Sequence, residues 1–240
     1  MRFMIMHKLT AKLEKGLPPS PEEMADIHGM MGEAGAAGIM LDGDGLLPSR
    51  ERWHVAYRDG KRTVTKGPFT DQRELIAGFV RLSVRSQEEA LGWLDRFAAI
   101  TGDVKLFLGP CTEPWHLGIA PEPESHPLRL LLLHQATERS ESDLPPDRKQ
   151  AAQLSALIEE MSAAGVLQSK DTLASTRHGA RVHIDGDKHS VSDGPFAESK
   201  ELISGFAIFE LPSKAEAVKW AIRWGHTIKV HEVEVRQLAD

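Results

Sequence analysis

The stretch Lys66-Gly67-Pro68-Phe69 recurs as Asp193-Gly194-Pro195-Phe196, at a shift of 127 positions. The same shift places Met1 to His7 on Leu128 to His134, again without a gap. Repetition in one register over most of a chain indicates a structural unit that occurs twice. The sequence therefore predicts one small domain duplicated in tandem.

The duplication divides the chain of 240 residues into three parts. Each repeat has roughly 110 residues, a size that can bury a real core. The segment between the repeats is rich in Pro and Glu, which is typical of a semi-extended linker. The predicted parts are a first repeat at residues 1–112, a linker at 113–126 and a second repeat at 127–240.

Each repeat is predicted to follow the order β-α-β-β-β-α-β. The first strand, Arg2 to His7 or Arg129 to His134, is apolar at odd and even positions alike, which predicts a central strand buried on both faces. An Asp-Gly pair between two short strands predicts a hairpin in each repeat, at Asp59-Gly60 and Asp185-Gly186.

The second helix of each repeat is predicted to begin with a capping box, at Ser86-x-x-Glu89 and Ser213-x-x-Glu216. Two helices can cover only one face of a sheet, yet the strands are apolar on both faces. The open faces must therefore meet a partner, and the economical partner is the other repeat. We predict an α+β fold in which the two repeats pack sheet to sheet as a pseudo-two-fold assembly within one chain.

The composition is that of an ordinary globular protein, with 41% hydrophobic and 27% charged residues. A net charge of −6 without a basic cluster argues against nucleic-acid binding, which depends on clustered Lys and Arg. No apolar run approaches the length of a membrane span or of a signal sequence. Because Cys111 is the only cysteine, an intrachain disulfide is excluded, and we expect a protein of the reducing cytoplasm.

These features together resemble the YCII-related family of the DGPF type, over nearly all of both repeats. The resemblance rests on the apolar first strand, the Pro21-Glu22-Glu23 entry to the first helix, the Ala-Ala-Gly turn, the Asp-Gly hairpin, and the stretch 193–198 followed by Lys200-Glu201. It implies two ferredoxin-like repeats that form a dimeric α+β barrel, with two domains that are normally separate subunits fused in one bacterial chain.

The resemblance also implies candidate activities. Some relatives resemble small enzymes of lactone or dehalogenation chemistry that use a His and Asp pair, and DGPF members are often encoded beside alternative sigma factors. The first-helix His of the enzyme-like relatives would fall near Asp26 or His28 in the first repeat. In the second repeat it would fall near Gln153 or Ser155, where no His is present.

His7 and His134 occupy the same place at the end of the first strand, and they are the predicted catalytic His residues of the two repeats. A modest shift would bring the pKa of either imidazole into the range of a general base or acid. The alternative is a half-buried His that hydrogen-bonds to the backbone.

The stretch Asp193-Gly194-Pro195-Phe196 is the second candidate feature. Gly and Pro favour a tight, rigid turn, and in that interpretation Phe69 and Phe196 plug into the core. In the functional interpretation Asp193 orients a His or binds a polar substrate atom, and Gly194, Pro195 and Phe196 line the ligand site. Lys66 replaces the Asp in the first repeat, which would confine its catalytic role to the second.

Arg2 and Arg129 are matched cations on apolar strands. They are candidates for binding a substrate carboxylate, unless they simply reach solvent at a strand start. His28 is a further ligand-binding candidate, or a residue at the boundary of its helix. The second repeat is richer in His, but no spacing is a recognised ligand motif, so we predict neither a metal nor a cofactor.

Two functional hypotheses follow. The first is a cofactor-free, lyase- or isomerase-like enzyme acting on a small organic acid or lactone, with His134 or His7 moving a proton and Asp193 orienting the imidazole. The second is a non-catalytic small-ligand-binding or transcription-associated module. The expected partner is a small molecule, while further self-association and a regulatory protein partner are left open. The second repeat is expected to hold the better pocket.

Overall fold

The computed structural model describes residues 1–69, 75–144, 147–199 and 202–239, and these contain twelve strands and six helices. The strands are β1 (Arg2–Lys8), β2 (Met40–Gly45), β3 (Trp53–Arg58), β4 (Lys61–Lys66), β5 (Ile76–Val84), β6 (Val104–Pro110), β7 (Leu128–Gln135), β8 (Leu167–Thr172), β9 (Ala180–Asp185), β10 (Lys188–Asp193), β11 (Ile203–Glu210) and β12 (Glu232–Gln237). The helices are α1 (Ala11–Glu14), α2 (Pro21–Ala36), α3 (Gln87–Thr101), α4 (Glu138–Glu141), α5 (Arg148–Ala163) and α6 (Lys214–Thr227).

The strands form two six-stranded antiparallel sheets. Sheet I has the order β10-β9-β12-β1-β11-β2, and sheet II has the order β4-β3-β6-β7-β5-β8. The predicted α+β class and the central position of each first strand are confirmed, because β1 pairs with both β11 and β12 and β7 pairs with both β5 and β6.

Neither sheet belongs to one repeat alone. Each combines the last four strands of one repeat with the first two strands of the other. Ile5 of the first repeat, for example, lies opposite Ala207 on one side and Val235 on the other, both from the second repeat. The two repeats therefore exchange β1-β2 for β7-β8, an arrangement that differs from the simple picture of one sheet per repeat.

The four long helices cover the outer faces of the two sheets. Helices α2 and α6 pack on sheet I, and α3 and α5 pack on sheet II, so each layer pairs the first long helix of one repeat with the second of the other. Two equivalent ion pairs join these helices, Arg223 to Glu33 at 2.5 Å and Arg96 to Glu160 at 2.6 Å.

The inner faces of the sheets share an apolar core, which contains Met4 and Phe206 from sheet I with Phe79 and Leu131 from sheet II. The rings of Phe79 and Phe206 lie 5.3 Å apart. Isolated bridges from Leu46 to Cys111 and from Leu173 to Leu238 also connect the ends of strands in the two sheets. The two sheets therefore face each other across a common core.

Local structure follows the sequence closely, with three differences. Ser86 and Ser213 cap their helices as predicted, but neither capping box is completed, because Glu89 accepts from the Arg85 amide and Glu216 from Lys219 Nζ. The linker contains a 3₁₀ turn at Pro114–Leu117 and is not simply extended. Short helices α1 and α4, which the hydrophobic pattern does not indicate, follow the first strands. Lys200 and Glu201 of the family motif lie outside the described residues.

Candidate ligand-binding site

His134 lies near the end of β7, on the face of sheet II that is covered by α3 and α5. Its imidazole lies over Gly78 of β5, where an added Cβ would come within 2.5 Å of His134 Nε2. Gly78 therefore makes the space that the ring occupies. The Phe97 ring of α3 lies 6.1 Å from the imidazole on the helix side.

A cavity of about 150 Å³ opens beside His134, between sheet II and the two helices. Its wall is mainly apolar, and the residues that line it come from both repeats. The lining side chains include Val80, Trp93, Phe97, Leu132, Leu157 and Ile158, while His134 and the β8 residues Lys170, Asp171 and Thr172 add polar groups. An apolar cavity of this volume can hold a molecule as large as benzene.

The surroundings keep the imidazole of His134 uncharged. Burial lowers the pKa of His134, because the charged form loses its hydration, and this outweighs a backbone hydrogen bond that acts in the opposite direction. A neutral imidazole offers a lone pair that accepts a proton or a hydrogen bond. Lys170, on the exposed edge strand β8, contributes a cation to the same cavity.

His7 has the equivalent position over Gly205 of sheet I, but its ring is held by a neighbour. Trp224, at the position that corresponds to Phe97, donates from Nε1 to His7 Nδ1 at 3.3 Å. Burial, with a smaller effect of the Arg52 charge, lowers the pKa of His7 to about 4. His7 is therefore a neutral hydrogen-bond acceptor that already has a donor.

The structure does not bring Asp193 next to either His. Its carboxylate accepts a hydrogen bond from Lys214 Nζ at 2.6 Å, and its side chain is 70% exposed. Lys214 begins α6, whereas the Trp224 that contacts His7 lies ten residues further along, or about 15 Å at the helical rise. His134 belongs to the other sheet.

The Gly-Pro turn serves the backbone in both repeats. A Cβ at Gly194 would clash with the Thr176 carbonyl oxygen, and one at Gly67 would clash with that of Ser49. Thr176 Oγ1 accepts from the Phe196 amide at 3.1 Å and donates to Glu141 at 2.5 Å. The turn is therefore tied to its own repeat through a hydroxyl and a carboxylate.

The rings after the turn do not enter the core as the sequence suggested. Phe196 is half-buried, and the Arg181 guanidinium lies over its ring at 4.1 Å. Phe69 is also half-buried and stacks on His54 at 3.6 Å. Pro195 is exposed on the same turn. Each ring therefore packs against a flat polar group instead of aliphatic core residues: Phe196 against the guanidinium of Arg181, and Phe69 against the imidazole of His54.

Arg2 and Arg129 join the two sheets and are already paired. Arg2 contacts Asp171 at 2.9 Å, and Arg129 contacts Asp44 closely and Glu113 at 3.2 Å. Neither arginine lines the cavity beside His134.

Most of the remaining histidines are exposed, while His54 and His226 are half-buried. His28 is exposed on α2, and His178 is 2.9 Å from Asp143. Within the described residues, no group of three or more His, Cys, Asp and Glu side chains could hold a metal ion.

A buried charge cluster was missed by the sequence interpretation. Glu234 contacts Lys8 at 3.3 Å, Arg181 at 3.1 Å and Arg236 at 3.4 Å, and all but Arg181 are almost fully buried. The three cations outweigh the effect of burial and lower the pKa of Glu234 to about 2. The alternation of Glu232, Glu234 and Arg236 with two valines on β12 is the sequence signal that could have found this cluster.

The duplicated order of elements, the two facing sheets and the cavity define a tandem α+β protein whose halves share their strands. The YCII-related domain matches this chain twice, at residues 1–104 and 128–236, and the chain therefore belongs to the YCII-related family as a tandem duplication. No curated protein and no solved structure matches the chain significantly. Among the described residues, no helix is long and apolar enough to cross a membrane.

Proposed function

We propose that the chain binds a small, largely apolar organic acid or lactone in the cavity beside His134, and that His134 acts there as a general base. The observation that carries this proposal is a neutral imidazole in the wall of an apolar cavity of about 150 Å³. Polar groups placed in an otherwise apolar cavity are typical of small-ligand sites.

The chemistry of the wall favours this ligand class. The apolar side chains match a hydrocarbon ring or short chain, and Lys170 offers a positive charge to a carboxylate or a developing enolate. The neutral imidazole takes a proton from the carbon next to the carbonyl group and returns it to another carbon of the same molecule. This step needs no cofactor, because the proton removed from the ligand is the proton given back.

Isomerisation of α-angelica lactone to its conjugated isomer is a direct test, since the probe has seven non-hydrogen atoms and the product absorbs in the ultraviolet. We expect wild-type protein to accelerate the reaction over buffer. His134→Gln should lose most of that acceleration, by about 10²-fold or more for a general base. His7→Gln is the matched control and should keep it. A rate that is equal in wild type and His134→Gln would overturn the catalytic role.

Binding without catalysis is the second candidate, and the position of Asp193 favours it. The carboxylate that was expected to orient an imidazole is bound to Lys214 at another place in the molecule. In this case α-angelica lactone should raise the melting temperature of wild type through mass action, with no isomerisation. Absence of both the shift and the reaction would count against each candidate with this probe.

A further inference from the structure

Each half of the molecule buries one arginine beside the core between the sheets, and the two arginines come from different positions of the repeat. In the first half Arg52 lies over Gly109, where an added Cβ would be 3.4 Å from Arg52 Cδ. In the second half Arg236 lies over Gly179. Under the shift of 127 positions, Arg236 corresponds to Gly109, and Gly179 corresponds to Arg52. An added Cβ at Gly179 would be 3.1 Å from Arg236 Cδ.

The two guanidinium groups nevertheless reach the same place. Arg52 Nε donates to the Leu47 carbonyl oxygen at 2.6 Å, and Arg236 Nη2 donates to the Ala174 carbonyl oxygen at 2.7 Å. Leu47 and Ala174 are equivalent under the shift of 127 positions. Arginine and glycine have therefore changed places between two strands while the position of the charge is kept.

Only one of the two carboxylates beside the arginine is kept. Arg236 contacts the carboxylates of Glu234 at 3.4 Å and Glu141 at 3.6 Å. Phe107 stands in the first repeat where the second has Glu234. An aromatic ring in the first half thus replaces the carboxylate that the second half supplies.

Arg52 is consequently incompletely satisfied. It is 7% exposed, and none of the described residues accepts a hydrogen bond from its Nη2. Glu14 and its counterpart Glu141 both bind a neighbouring amide and hydroxyl, of Ser49 and Thr176 respectively. Glu141 also forms an ion pair with Arg236, whereas Glu14 acts on Arg52 only through its more distant charge. Arg236 Nε is likewise without an acceptor among the described residues, but its guanidinium faces two carboxylates.

A small cavity of about 20 Å³ adjoins Arg52 and is otherwise lined by aromatic and aliphatic side chains, among them His54, Phe69 and Phe107. This volume suits a single group of two or three atoms. Leu131 and Leu133 line it from β7, whereas Leu132 and His134 line the larger cavity. The two cavities therefore lie on opposite faces of sheet II.

We propose that the Arg52 cavity binds a small monoanion, such as formate or chloride, which takes the place that the Glu234 carboxylate has in the second half. A buried guanidinium with an unsatisfied N–H group and only the Glu14 charge near it is unfavourable, and an anion that accepts from that N–H group offsets the cost. Because the cavity is small, it selects for anions of very few atoms.

Thermal unfolding of wild type and Phe107→Glu in sodium formate, chloride and gluconate at equal ionic strength tests the site. We expect the melting temperature of wild type to be several degrees higher in formate or chloride than in gluconate, which is too large for the cavity. Phe107→Glu restores an internal carboxylate and should lose this difference. Phe107→Leu, which adds no charge, should keep it, and so should His134→Gln.

Two results would overturn the proposal: no difference between formate or chloride and gluconate in wild type, or the same difference in Phe107→Glu. If formate and chloride both raise the melting temperature, the site selects its ligand by charge and size. If formate alone raises it, the site selects a carboxylate group. If Phe107→Glu does not fold, wild-type crystals soaked in bromide decide, because an anomalous peak is expected beside Arg52 Nη2 and its absence rejects the site.

Discussion

The two helix-facing compartments of the molecule have the same parts and different contents. Beside sheet II, His134 lies across from Phe97 and borders a cavity of about 150 Å³. Beside sheet I, Trp224 replaces Phe97 and donates a hydrogen bond to His7. One compartment therefore leaves its imidazole beside a cavity, whereas the other uses its imidazole within the protein.

The inner faces of the sheets also differ, but in their buried charges. In the second repeat Glu234 holds three cations together, and in the first repeat Phe107 occupies that position beside Arg52. The helix-to-helix ion pairs are the same in both halves. Divergence has thus affected the cavities and the buried charges, while the ion pairs between the two long helices of each layer are retained.

Glu234→Gln should have the largest effect, because it leaves Lys8, Arg181 and Arg236 without their shared carboxylate. Loss of one partner of a buried ion cluster costs about 3–5 kcal/mol of the free energy of unfolding, which urea unfolding at pH 7 measures. Phe107→Leu, at the equivalent position, should cost less than about 1.5 kcal/mol. Equal costs would mean that the two inner faces are energetically alike.

The same carboxylate predicts a pH dependence. The pKa of Glu234 is about 2 in the folded chain and 4.5 for the ordinary group, so its contribution is present above pH 4.5 and is lost as the pH falls towards 2. Glu234→Gln should remove this part of the acid destabilisation. An unchanged acid transition would contradict the assignment.

His7 should produce the next largest effect, in a separate pH range. The folded pKa is about 4 against an ordinary 6.5, so the neutral form favours folding and stability falls as the pH drops from 6.5 to 4. The loss should be about 3 kcal/mol, and His7→Gln should flatten it. His134→Gln should flatten it less, and the reverse order would break the comparison between the compartments.

Alanine at either glycine under an imidazole should overpack its compartment, at a cost of about 1–3 kcal/mol, and the size of the cost should distinguish the two compartments. The new methyl group would contact His134 at 2.5 Å in Gly78→Ala and His7 at 2.5 Å in Gly205→Ala. It would also approach a backbone carbonyl oxygen in each variant, that of Asp171 at 2.7 Å and that of Asp44 at 2.9 Å, so the rings decide the difference. His134 can move into its cavity, whereas Trp224 restrains His7. We expect Gly205→Ala to have the lower melting temperature of the two variants.

Exchange of the aromatic residues should have the smallest effect on stability and the clearest effect on binding. Phe97→Trp should fill the cavity beside His134, with a change of about 1 kcal/mol or less. We expect benzene to raise the melting temperature of the wild type by binding in this cavity, and Phe97→Trp should abolish that rise. Trp224→Phe should create a weaker response to benzene beside His7. A cavity that still binds benzene in Phe97→Trp would show that Phe97 does not control its volume.

Local patterns predict most of the elements of this chain and few of its long-range partners. The odd and even apolar positions of β1 specify a central strand, but they do not specify which repeat flanks it, because the neighbouring strands of both repeats are almost equally apolar. The exchange of strands between the repeats therefore cannot be predicted from the apolar pattern. Similarly, the histidine positions were visible in sequence, whereas the cavity depends on whether Phe or Trp lies opposite.

The candidate site shows the same limit. His134 lies where the strand pattern predicted, and Gly194 has a close backbone approach that explains a glycine there. The expected partnership of Asp193 with an imidazole depends on distances that no motif contains, and here that carboxylate is bound to Lys214. The cavity was expected in the second repeat, but its wall draws on α3 and β5 of the first repeat as well.

The strand exchange also determines what happens when the chain is cut. Residues 113–126 are mostly exposed and connect the halves, yet β1 lies between β11 and β12, and β7 lies between β5 and β6. A protease that nicks this segment leaves two fragments whose sheets remain interlaced. Neither fragment can leave as an intact domain, because departure would remove strands from the middle of both sheets.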